Sequence, residues 1–441
     1  MNDGGDPGLP SFRAAMRVWA SIGCLSFGGP AGQIALLHRE VVDRRRWISD
    51  RRFLHALNFC TLLPGPEAQQ LATYLGWLMH GVKGGLAAGL LFVVPGAVVM
   101  LALSIVFLMF GDVPLIAAVF FGLKSAVLVI VVEALLRIGR RALKGRAAWV
   151  LAGAAFAALF LFAVPFPVVV LGAGLVGYLA PGYFAAGAHG TAKDGPPAAI
   201  DAVLEADPGR AGRYAREARR AGAVTAVMWL LPVVVLMWRG GVYADIAWFF
   251  SKMAVVTFGG AYAVLAYVAQ DAVEQFHWLS APEMLTGLGL AETTPGPLIL
   301  VLQFVGFLAG ARAGGGADIA GGVVGAGLTL WVTFAPCFVF VFLGAPLIER
   351  LQGNRALSGA LAAITAAVVG VIANLAVWFA LHVLFRKMVF VGGVGVPVLG
   401  SVEPLALVLA VVAAVALFGL RLGVMRTLLI CAAGSFALRV L

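Results

Sequence analysis

The sequence predicts an all-α protein that crosses a membrane several times and consists of two related halves. Of its 441 residues, 62% are hydrophobic and 12% are charged, whereas a typical soluble domain carries about 25% charged residues. Apolar segments long enough to enter a bilayer recur along the chain, and one set of motifs occurs twice. The polar N-terminus lacks a basic region followed by a short apolar one, so we predict no cleavable signal peptide.

The formal net charge of +10 does not indicate a nucleic-acid-binding protein, because the basic residues form short clusters between apolar segments. Loops rich in Lys and Arg remain in the cytoplasm, so these clusters predict orientation instead. The four cysteines form no CxxC pair and the six histidines are scattered, so we predict no metal site. The segment "GAGLVG" (172–177) matches GxGxxG but lies inside an apolar segment, which favours helix packing. We therefore predict no cofactor and no enzyme.

An internal repeat divides the chain. The motif "SFGGPAGQ" (26–33) returns 231 positions later as "TFGGAYAV" (257–264). The same offset relates two further pairs in ungapped register, namely 47–49 with 278–280 and 64–66 with 295–297. We predict a first repeat at 1–185, a polar cytoplasmic linker at 186–222 and a second repeat at 223–441. The linker segment "GRAGRYAREARR" predicts either a basic amphipathic helix at the membrane surface or a flexible loop.

The two repeats differ in loop charge. The loop "DRRRWISDRR" is strongly basic, whereas its counterpart "EQFHWLSAPE" contains no Lys or Arg. The positive-inside rule places the first loop in the cytoplasm and leaves the second free to face outside. This difference predicts an inverted repeat, a common plan among transporters.

The number of crossings points to a broken segment. The segment "RIGRRALKGR" (137–146) also predicts a cytoplasmic loop, yet the apolar segments 53–81, 84–110 and 114–136 lie between the two basic loops. Three full crossings would end on the wrong side, so one segment should enter the membrane and return. Segment 53–81 is too short to cross twice, because one crossing needs about 20 residues. It is broken at Pro64-Gly65-Pro66, which predicts two half-helices meeting inside the membrane.

Two other segments complete this topology. Segment 12–41, interrupted by Gly28-Gly29-Pro30, is a candidate for a second hairpin. An additional apolar segment at 223–238 would reverse the orientation of the second repeat.

The Pro64-Gly65-Pro66 break also predicts an anion site. Backbone that is not helical is tolerated inside a membrane only where protein or a water-filled cavity surrounds it. A half-helix that starts there presents free N–H groups and the positive end of its dipole. A simple kink against a neighbouring helix is the alternative interpretation. The same argument applies to the FGG motif and to the second repeat, at Gly28, Gly29, Pro30, Gly259, Gly260, Thr294, Pro295, Gly296 and Pro297.

Glu67 follows the first break and has two interpretations. A carboxylate in the first turn of a helix is stabilised by the dipole and can simply cap the helix. Ionisable groups inside membranes usually serve transport, which favours a coupling or gating residue. The counterpart of Glu67 is Leu298, so the second break has no equivalent acid.

Further polar residues are candidates for the transport path. Lys124 lies in the middle of an apolar segment, where it either attracts an anion or pairs with Glu67 or Glu133. Arg39 and Glu40 mark either the cytoplasmic mouth or an ordinary surface pair. Candidate hydrogen-bond donors to an oxyanion are Gln33, Asn58, Thr73 and Tyr74, and Gln70 is a further candidate for the path.

These motifs resemble the chromate ion transporter family, specifically its long, two-domain members. The resemblance lies in "FGGPAGQIA", in "LPGPEAQQLATYLGW" with "GGLAAGLLFVVPG" after it, and in the second-repeat "FGG", "TTPGP" and "AAVVGVIANLAVW". It covers nearly the whole chain apart from the linker and the tails. Gly32 departs from the alanine expected at that position.

The resemblance implies a multi-pass protein of the bacterial inner membrane that exports chromate and confers chromate resistance. Sulfate, a tetrahedral dianion of similar shape, is the expected competitor or exchanged ion, and a transporter of another such oxyanion is the alternative. A proton as coupled ion, a homodimer and an anion channel remain open. No GxxxxGK[ST] nucleotide motif is present, so the expected driving force is the membrane potential.

Overall fold

The computed structural model describes residues 9–184, 198–207, 209–258, 261–345, 354–391 and 394–440. These residues are almost entirely helical, which confirms the predicted fold class. The described helices are α1 (Phe12–Leu25), α2 (Gly29–His38), α3 (Asp50–Cys60), α4 (Glu67–Phe110), α5 (Pro114–Ala142), α6 (Arg146–Phe162), α7 (Phe166–Leu179), α8 (Ala199–Ala206), α9 (Gly209–Arg239), α10 (Val242–Val256), α11 (Ala261–Gln270), α12 (Ala281–Thr293), α13 (Val301–Arg312), α14 (Ile319–Gly344), α15 (Arg355–Leu384), α16 (Pro404–Ala414) and α17 (Val424–Val440).

Short elements connect these helices. Three π-helical turns follow α2, α11 and α16, at Arg39–Arg44, Asp271–Gln275 and Val415–Gly419. Short 3₁₀ turns lie at Pro181–Tyr183, Leu298–Leu300 and Leu399–Ser401. Strands β1 (Met388–Val391) and β2 (Val394–Pro397) form an antiparallel hairpin, which the all-α prediction did not include.

Five helices in the described part of the chain are long and apolar enough to cross a membrane: α4, α5, α9, α14 and α15. This set includes α9, whose apolar part is the additional segment 223–238. The protein is therefore a multi-pass membrane protein.

The chain reverses direction at the Pro64-Gly65-Pro66 break. The ring centroids of Phe59 on α3 and Tyr74 on α4 are 5.6 Å apart, whereas a continuous helix would separate these positions by about 22 Å. Helix α4 then reverses again at His80 and Gly81, whose backbone angles are not helical. A Cβ built on Gly84 would lie 2.2 Å from the Gly76 carbonyl oxygen, so the arms 67–79 and 82–110 pack backbone to backbone.

Helices α1 and α2 also form a hairpin, and both of its outer ends lie at one end of the molecule. Phe12 at the start of α1 packs edge-on against His80. After α2, the Trp47 carbonyl oxygen accepts a hydrogen bond from Ile200 N–H at 3.1 Å. Arg210, at the start of α9, donates to the Met79 carbonyl oxygen at 2.8 Å. We call this end, with α8 and the start of α9, the linker end.

The corresponding loop of the second repeat lies at the other end of α9. This helix has 31 residues and is therefore about 46 Å long. Just beyond its end, the Tyr243 hydroxyl donates to the Gly321 carbonyl oxygen at 3.3 Å. Gly321 approaches Gly310, and Arg312 donates to the Trp278 carbonyl oxygen at 3.1 Å. The loops around Trp47 and Trp278 are equivalent in sequence and lie at opposite ends of α9.

Unusual backbone geometry recurs at the offset of 231 positions. Arg46 and His277 both have a φ of +51°, and each follows a π-helical turn. Gly65 and Gly296 have φ values of +121° and +94°. The repeat is therefore present in backbone conformation, even where the side chains differ.

The two repeats exchange their last helices. Helix α5 of the first repeat packs against α16 and α17, while α15, whose segment 365–374 aligns with 124–133 of α5 at an offset of 241 positions, packs against α6 and α7. Small residues allow close contact: a Cβ on Gly122 would lie 2.2 Å from the Cys431 carbonyl oxygen, and one on Gly177 would lie 2.3 Å from that of Gly359. An apolar core among the described residues therefore contains side chains of both repeats.

The described part of the linker docks on the first repeat. Residues 186–197 lie outside the described residues, and α9 continues without interruption through Gly222. Ile200 is fully buried, and Asp201 forms an ion pair with Arg52. Burial raises the pKa of Asp201, but Arg52 and the Ala198 N–H outweigh this effect and hold it below its usual range.

We expect Asp201→Asn to loosen this docking. A half-exposed ion pair contributes about 1 kcal/mol, so amide exchange at residues 199–200 should rise roughly fivefold. Because the pKa of Asp201 is lower in the folded state, the same docking should be present at neutral pH and be lost as the pH falls through that pKa. Hydrogen–deuterium exchange measures both effects. Unchanged exchange in the variant at neutral pH would show that apolar burial alone holds α8.

Candidate functional site

Each proline–glycine–proline break is hydrogen-bonded to the FGG segment of the other repeat. Gly65 N–H donates to the Thr257 carbonyl oxygen at 2.8 Å, and Gly296 N–H donates to that of Ser26 at 2.8 Å. Gly65 and Gly296 are equivalent positions, as are Ser26 and Thr257. The two repeats therefore meet in a reciprocal, pseudo-two-fold contact.

Local chemistry makes these two bonds necessary. Proline has no N–H, so the glycine supplies the single backbone donor within each three-residue break. Both glycines have positive φ, a conformation that residues with a Cβ rarely adopt. A buried donor without a partner costs about 1–3 kcal/mol. The hydrogen bond to a carbonyl oxygen in the FGG segment of the other repeat removes that cost.

Amide side chains bind the carbonyl groups of the breaks. Gln33 is almost fully buried, and its Nε2 donates to the Gly296 carbonyl oxygen at 2.6 Å. Gln70 Nε2 donates to the Pro64 carbonyl oxygen at 2.7 Å. Thr294 is buried and donates to Ala291 of its own helix at 3.0 Å. Gln33 and Gln70 thus position the breaks; the sequence analysis named them as candidates for the transport path and did not predict these bonds.

A small cavity of about 20 Å³ lies where the four broken segments meet. We call it the central cavity. Its described lining residues are Pro30, Gln33, Pro66, Glu67, Ala68, Ala261, Pro297, Leu298 and Ile299. Apart from Gln33, every lining residue has its counterpart from the other repeat in the same lining.

Four helical segments begin at this cavity: α2, α4, α11 and the 3₁₀ turn that leads into α13. In the described part of the chain, the starts of α2, α4 and that 3₁₀ turn have no side-chain cap. The first N–H groups of a helix have no partner within the helix, and its dipole places positive charge there. The central cavity is therefore surrounded by positive helix ends.

The central cavity favours an anion, yet its walls hold no cationic side chain among the described residues. Glu67 is the acidic residue of that lining, and Leu298 stands opposite it. A cavity of about 20 Å³ accommodates roughly one water molecule. A tetrahedral oxyanion with five heavy atoms does not fit this cavity unless the helix ends move apart.

The remaining candidates of the first repeat lie at different distances from this cavity. Gly28 and Gly29 immediately precede Pro30 and have φ values of +88° and +72°. Asn58 is exposed and is not among the lining residues. Lys124 is half-buried on α5, with its Nζ 4.3 Å from the ring centroid of Phe121, and is also absent from that lining. Gly259 and Gly260 of the second repeat lie outside the described residues.

Glu40 and Arg39 belong to a charged cluster at the linker end. The buried carboxylate of Glu40 lies 2.7 Å from Arg44 and 3.7 Å from Arg39, and it also pairs with Arg45. Glu133, a suggested partner of Lys124, lies 3.5 Å from Arg137.

Sequence reasoning missed two polar residues on α10 and α11. Lys252 lies inside the apolar segment "AWFFSKMAVV", so the signal that marked Lys124 applies to it equally. Tyr262 is next to Ala261 of the central cavity, and its hydroxyl donates to Glu292 at 2.6 Å. No pattern in the sequence marks Tyr262, since the pairing depends on how α11 and α12 pack.

A multi-pass helical protein with a cavity at the broken helices of two interlocked repeats has a plan that is common among membrane transport proteins. Comparison with known proteins specifies the family. The family model described as chromate transporter matches residues 14–178 and 244–438. The chain belongs to the chromate transporter family.

Several relatives share most of their length with this chain. A chromate transport protein of Pseudomonas aeruginosa is 33% identical, over 82% of this chain and 79% of that protein. One from Cupriavidus metallidurans is 26% identical, over 82% and 81%. A probable chromate transport protein of Synechococcus elongatus is 24% identical, over 92% and 95%. No solved structure matches the chain.

The second arm of α4 also contacts the second break. A Cβ built on Gly96 would lie 2.0 Å from the Pro295 carbonyl oxygen, so the backbone would have to move. In the first break, Cys337 Sγ of α14 lies 3.0 Å from a Cβ built on Gly65, and Cys337 aligns with Gly96 at an offset of 241 positions.

We expect Gly96→Ala to destabilise the protein by about 1–3 kcal/mol, the usual cost of overpacking, and to reduce transport. Gly153→Ala on α6 is the matched control, because a Cβ at Gly153 meets nothing within 4 Å. Thermal unfolding in detergent and transport in vesicles check both variants. Equal stability and activity of the two variants would show that the contact at Pro295 can relax freely.

Proposed function

We propose that this protein exports chromate from the cytoplasm across the bacterial inner membrane, as a secondary transporter, and thereby confers resistance to chromate. The convergence of four helix starts on one closed cavity supports this proposal most directly. Helix N-termini bind oxyanions through backbone N–H groups and the dipole. Relatives named as chromate transport proteins supply the substrate class.

Binding by backbone dipoles suits a transported anion. A site built from Lys and Arg would hold a dianion with full charges, which slows release. Conduction and transport require binding that is strong enough for entry and weak enough for exit. The partial charges of four helix ends satisfy both requirements.

Glu67 acts as an internal anion that competes with the substrate. Two unit charges 4 Å apart repel by about 4 kcal/mol at an effective dielectric constant of 20, and a dianion doubles this value. Glu67 must therefore leave the central cavity or take up a proton when chromate enters. After chromate leaves, the carboxylate returns to the helix ends and closes the cavity.

An inverted repeat with re-entrant hairpins provides access from both sides. The equivalent loops around Trp47 and Trp278 at opposite ends of α9 support this arrangement. Broken helices at the interface of such repeats typically hold the substrate, and one repeat rocks against the other. The hairpins of each repeat line the path to one side.

The membrane potential supplies the driving force. A potential of 100 mV, inside negative, contributes about 4.6 kcal/mol for export of two negative charges. This energy supports about a thousandfold gradient. Sulfate has the same charge and shape, so it is the alternative substrate and the expected competing or exchanged ion.

Chromate uptake into everted membrane vesicles tests this function, with excess sulfate as competitor. We expect wild-type vesicles to accumulate chromate when energised. Glu67→Gln should lower KM for chromate and reduce the maximal rate about tenfold, because the competing charge is lost and the cavity no longer closes. Asp245→Asn, an exposed acid at the start of α10, is the charge-matched control. Chromate uptake by the Lys124→Ala variant, measured in the same assay, tests whether α5 contributes to the transport path.

Two outcomes would contradict parts of this proposal. If KM for chromate and the maximal rate are unchanged in Glu67→Gln, then Glu67 serves only as a helix cap. If wild-type vesicles accumulate sulfate but not chromate, then sulfate is the substrate in place of chromate.

The inverted arrangement predicts opposite accessibility of two equivalent serines. We expect a cysteine at Ser49 to react with a membrane-impermeant maleimide in everted vesicles and one at Ser280 to react in intact spheroplasts. Both substitutions are made in a background without Cys24, Cys60, Cys337 and Cys431. Labelling of both positions from the same side would exclude the inverted repeat.

A further inference from the structure

A second, larger cavity lies along α10 and α11, away from the central cavity. Its volume is about 380 Å³, which is enough for several water molecules. It lies beside the Trp278 loop, since its wall includes Phe276, which stacks on Trp278. We call it the Asp271 cavity. Its charged lining residues in the described chain are Lys252, Asp271 and Glu274.

Asp271 occupies the position that Glu40 occupies in the first repeat. Both acids lie at the start of a π-helical turn, and both are more than 90% buried. Arg39, Arg44 and Arg45 neutralise Glu40. The equivalent positions of the second repeat are Gln270, Gln275 and Phe276, and all three line the Asp271 cavity. One acid is thus held permanently by arginines, while the other faces a cavity.

The surroundings of Asp271 form a connected polar group. Lys252 Nζ donates to the Tyr267 hydroxyl at 3.0 Å, and that hydroxyl lies beside the Asp271 carboxylate. Asn374 on α15 lines the same cavity, is 93% buried, and has no hydrogen-bond partner among the described residues. The amide of Asn374 borders the cavity, so a ligand or water there can hydrogen-bond to it.

The charges of the cavity select the ligand. One ammonium and two carboxylates leave a net negative charge, which disfavours the transported dianion. A metal cation requires a shell of several oxygen ligands, and the Lys252 ammonium beside Asp271 repels it. A proton binds to one carboxylate oxygen and needs no such shell.

We propose that Asp271 is a proton-binding site and that its protonation from the outer side is coupled to export of the anion. This inference rests on the proposed function. The groups that face Asp271 are Lys252 from α10, Tyr267 from α11 and Glu274 from its own turn; α15 contributes Asn374, and residues 163–166 contribute no titratable group. Helix α11 begins at the central cavity and ends at Asp271, so one rigid element connects the two sites.

Proteoliposomes with the potential clamped at zero test the coupling. For one proton per anion, each unit of pH difference should change the steady-state chromate ratio of the wild type about tenfold. Asp271→Asn should lose this response and still move chromate when a potential is imposed. Asp271→Glu should retain the response, since the equivalent position carries Glu40. A response to a sodium gradient in place of a pH gradient, or a full pH response in Asp271→Asn, overturns the proposal.

Infrared difference spectra of the purified protein, without chromate, separate this proposal from the proposed function. Between acidic and alkaline buffer, the wild type and Asp245→Asn should show a protonated carboxyl band that Asp271→Asn lacks. Suppose that the band is present in the wild type and in Asp245→Asn and absent in Asp271→Asn, but that the protein does not transport chromate. The proton site is then supported and the proposed function is wrong. If Asp271→Asn keeps the whole band, the proton site is wrong whatever the transport result.

Discussion

The structure depends on one backbone donor in each repeat. A glycine between two prolines has the single N–H of its break, and that N–H bonds to the FGG carbonyl of the other repeat. Inside a membrane no bulk water replaces such a bond, so neither break can be stable without the opposite repeat. The exchanged packing of α5 and α15 with the last helices of the other repeat follows the same pseudo-two-fold relation. The repeats are therefore one folding unit rather than two docked domains.

This constraint also creates the site. Holding both breaks at the FGG segments brings four helix starts to one point, and their positive ends define an anion cavity. Because the donors belong to the backbone, they are present in both repeats regardless of side chains. In the proposed mechanism, transport requires that the helix ends separate and close again, with Glu67 as the charge that replaces the substrate.

Symmetry of the backbone contrasts with asymmetry of the side chains. Glu67 faces Leu298 across the central cavity, and Glu40 with its arginines corresponds to Asp271 with its open cavity. In the proposed mechanism, the symmetric backbone provides two similar access routes, and the different side chains give these routes different tasks. The first repeat carries Glu40 among its arginines, and the second carries Asp271 beside a cavity, the carboxylate that we propose binds a proton.

The sequence by itself determined the helical membrane fold, the two repeats and the positions of the breaks, because hydropathy, proline and glycine act locally along the chain. It also marked Glu67 and Gln33, which the structure places at the central cavity. It could not determine the cross-repeat bonds, the exposure of Asn58, the distance of Lys124 from the cavity or the group around Lys252 and Asp271. Those depend on which faces of distant helices meet, and only tertiary packing decides that. The β hairpin of 388–397 was missed because its short valine-rich segment lies directly after a long apolar helix and gives no separate periodic signal.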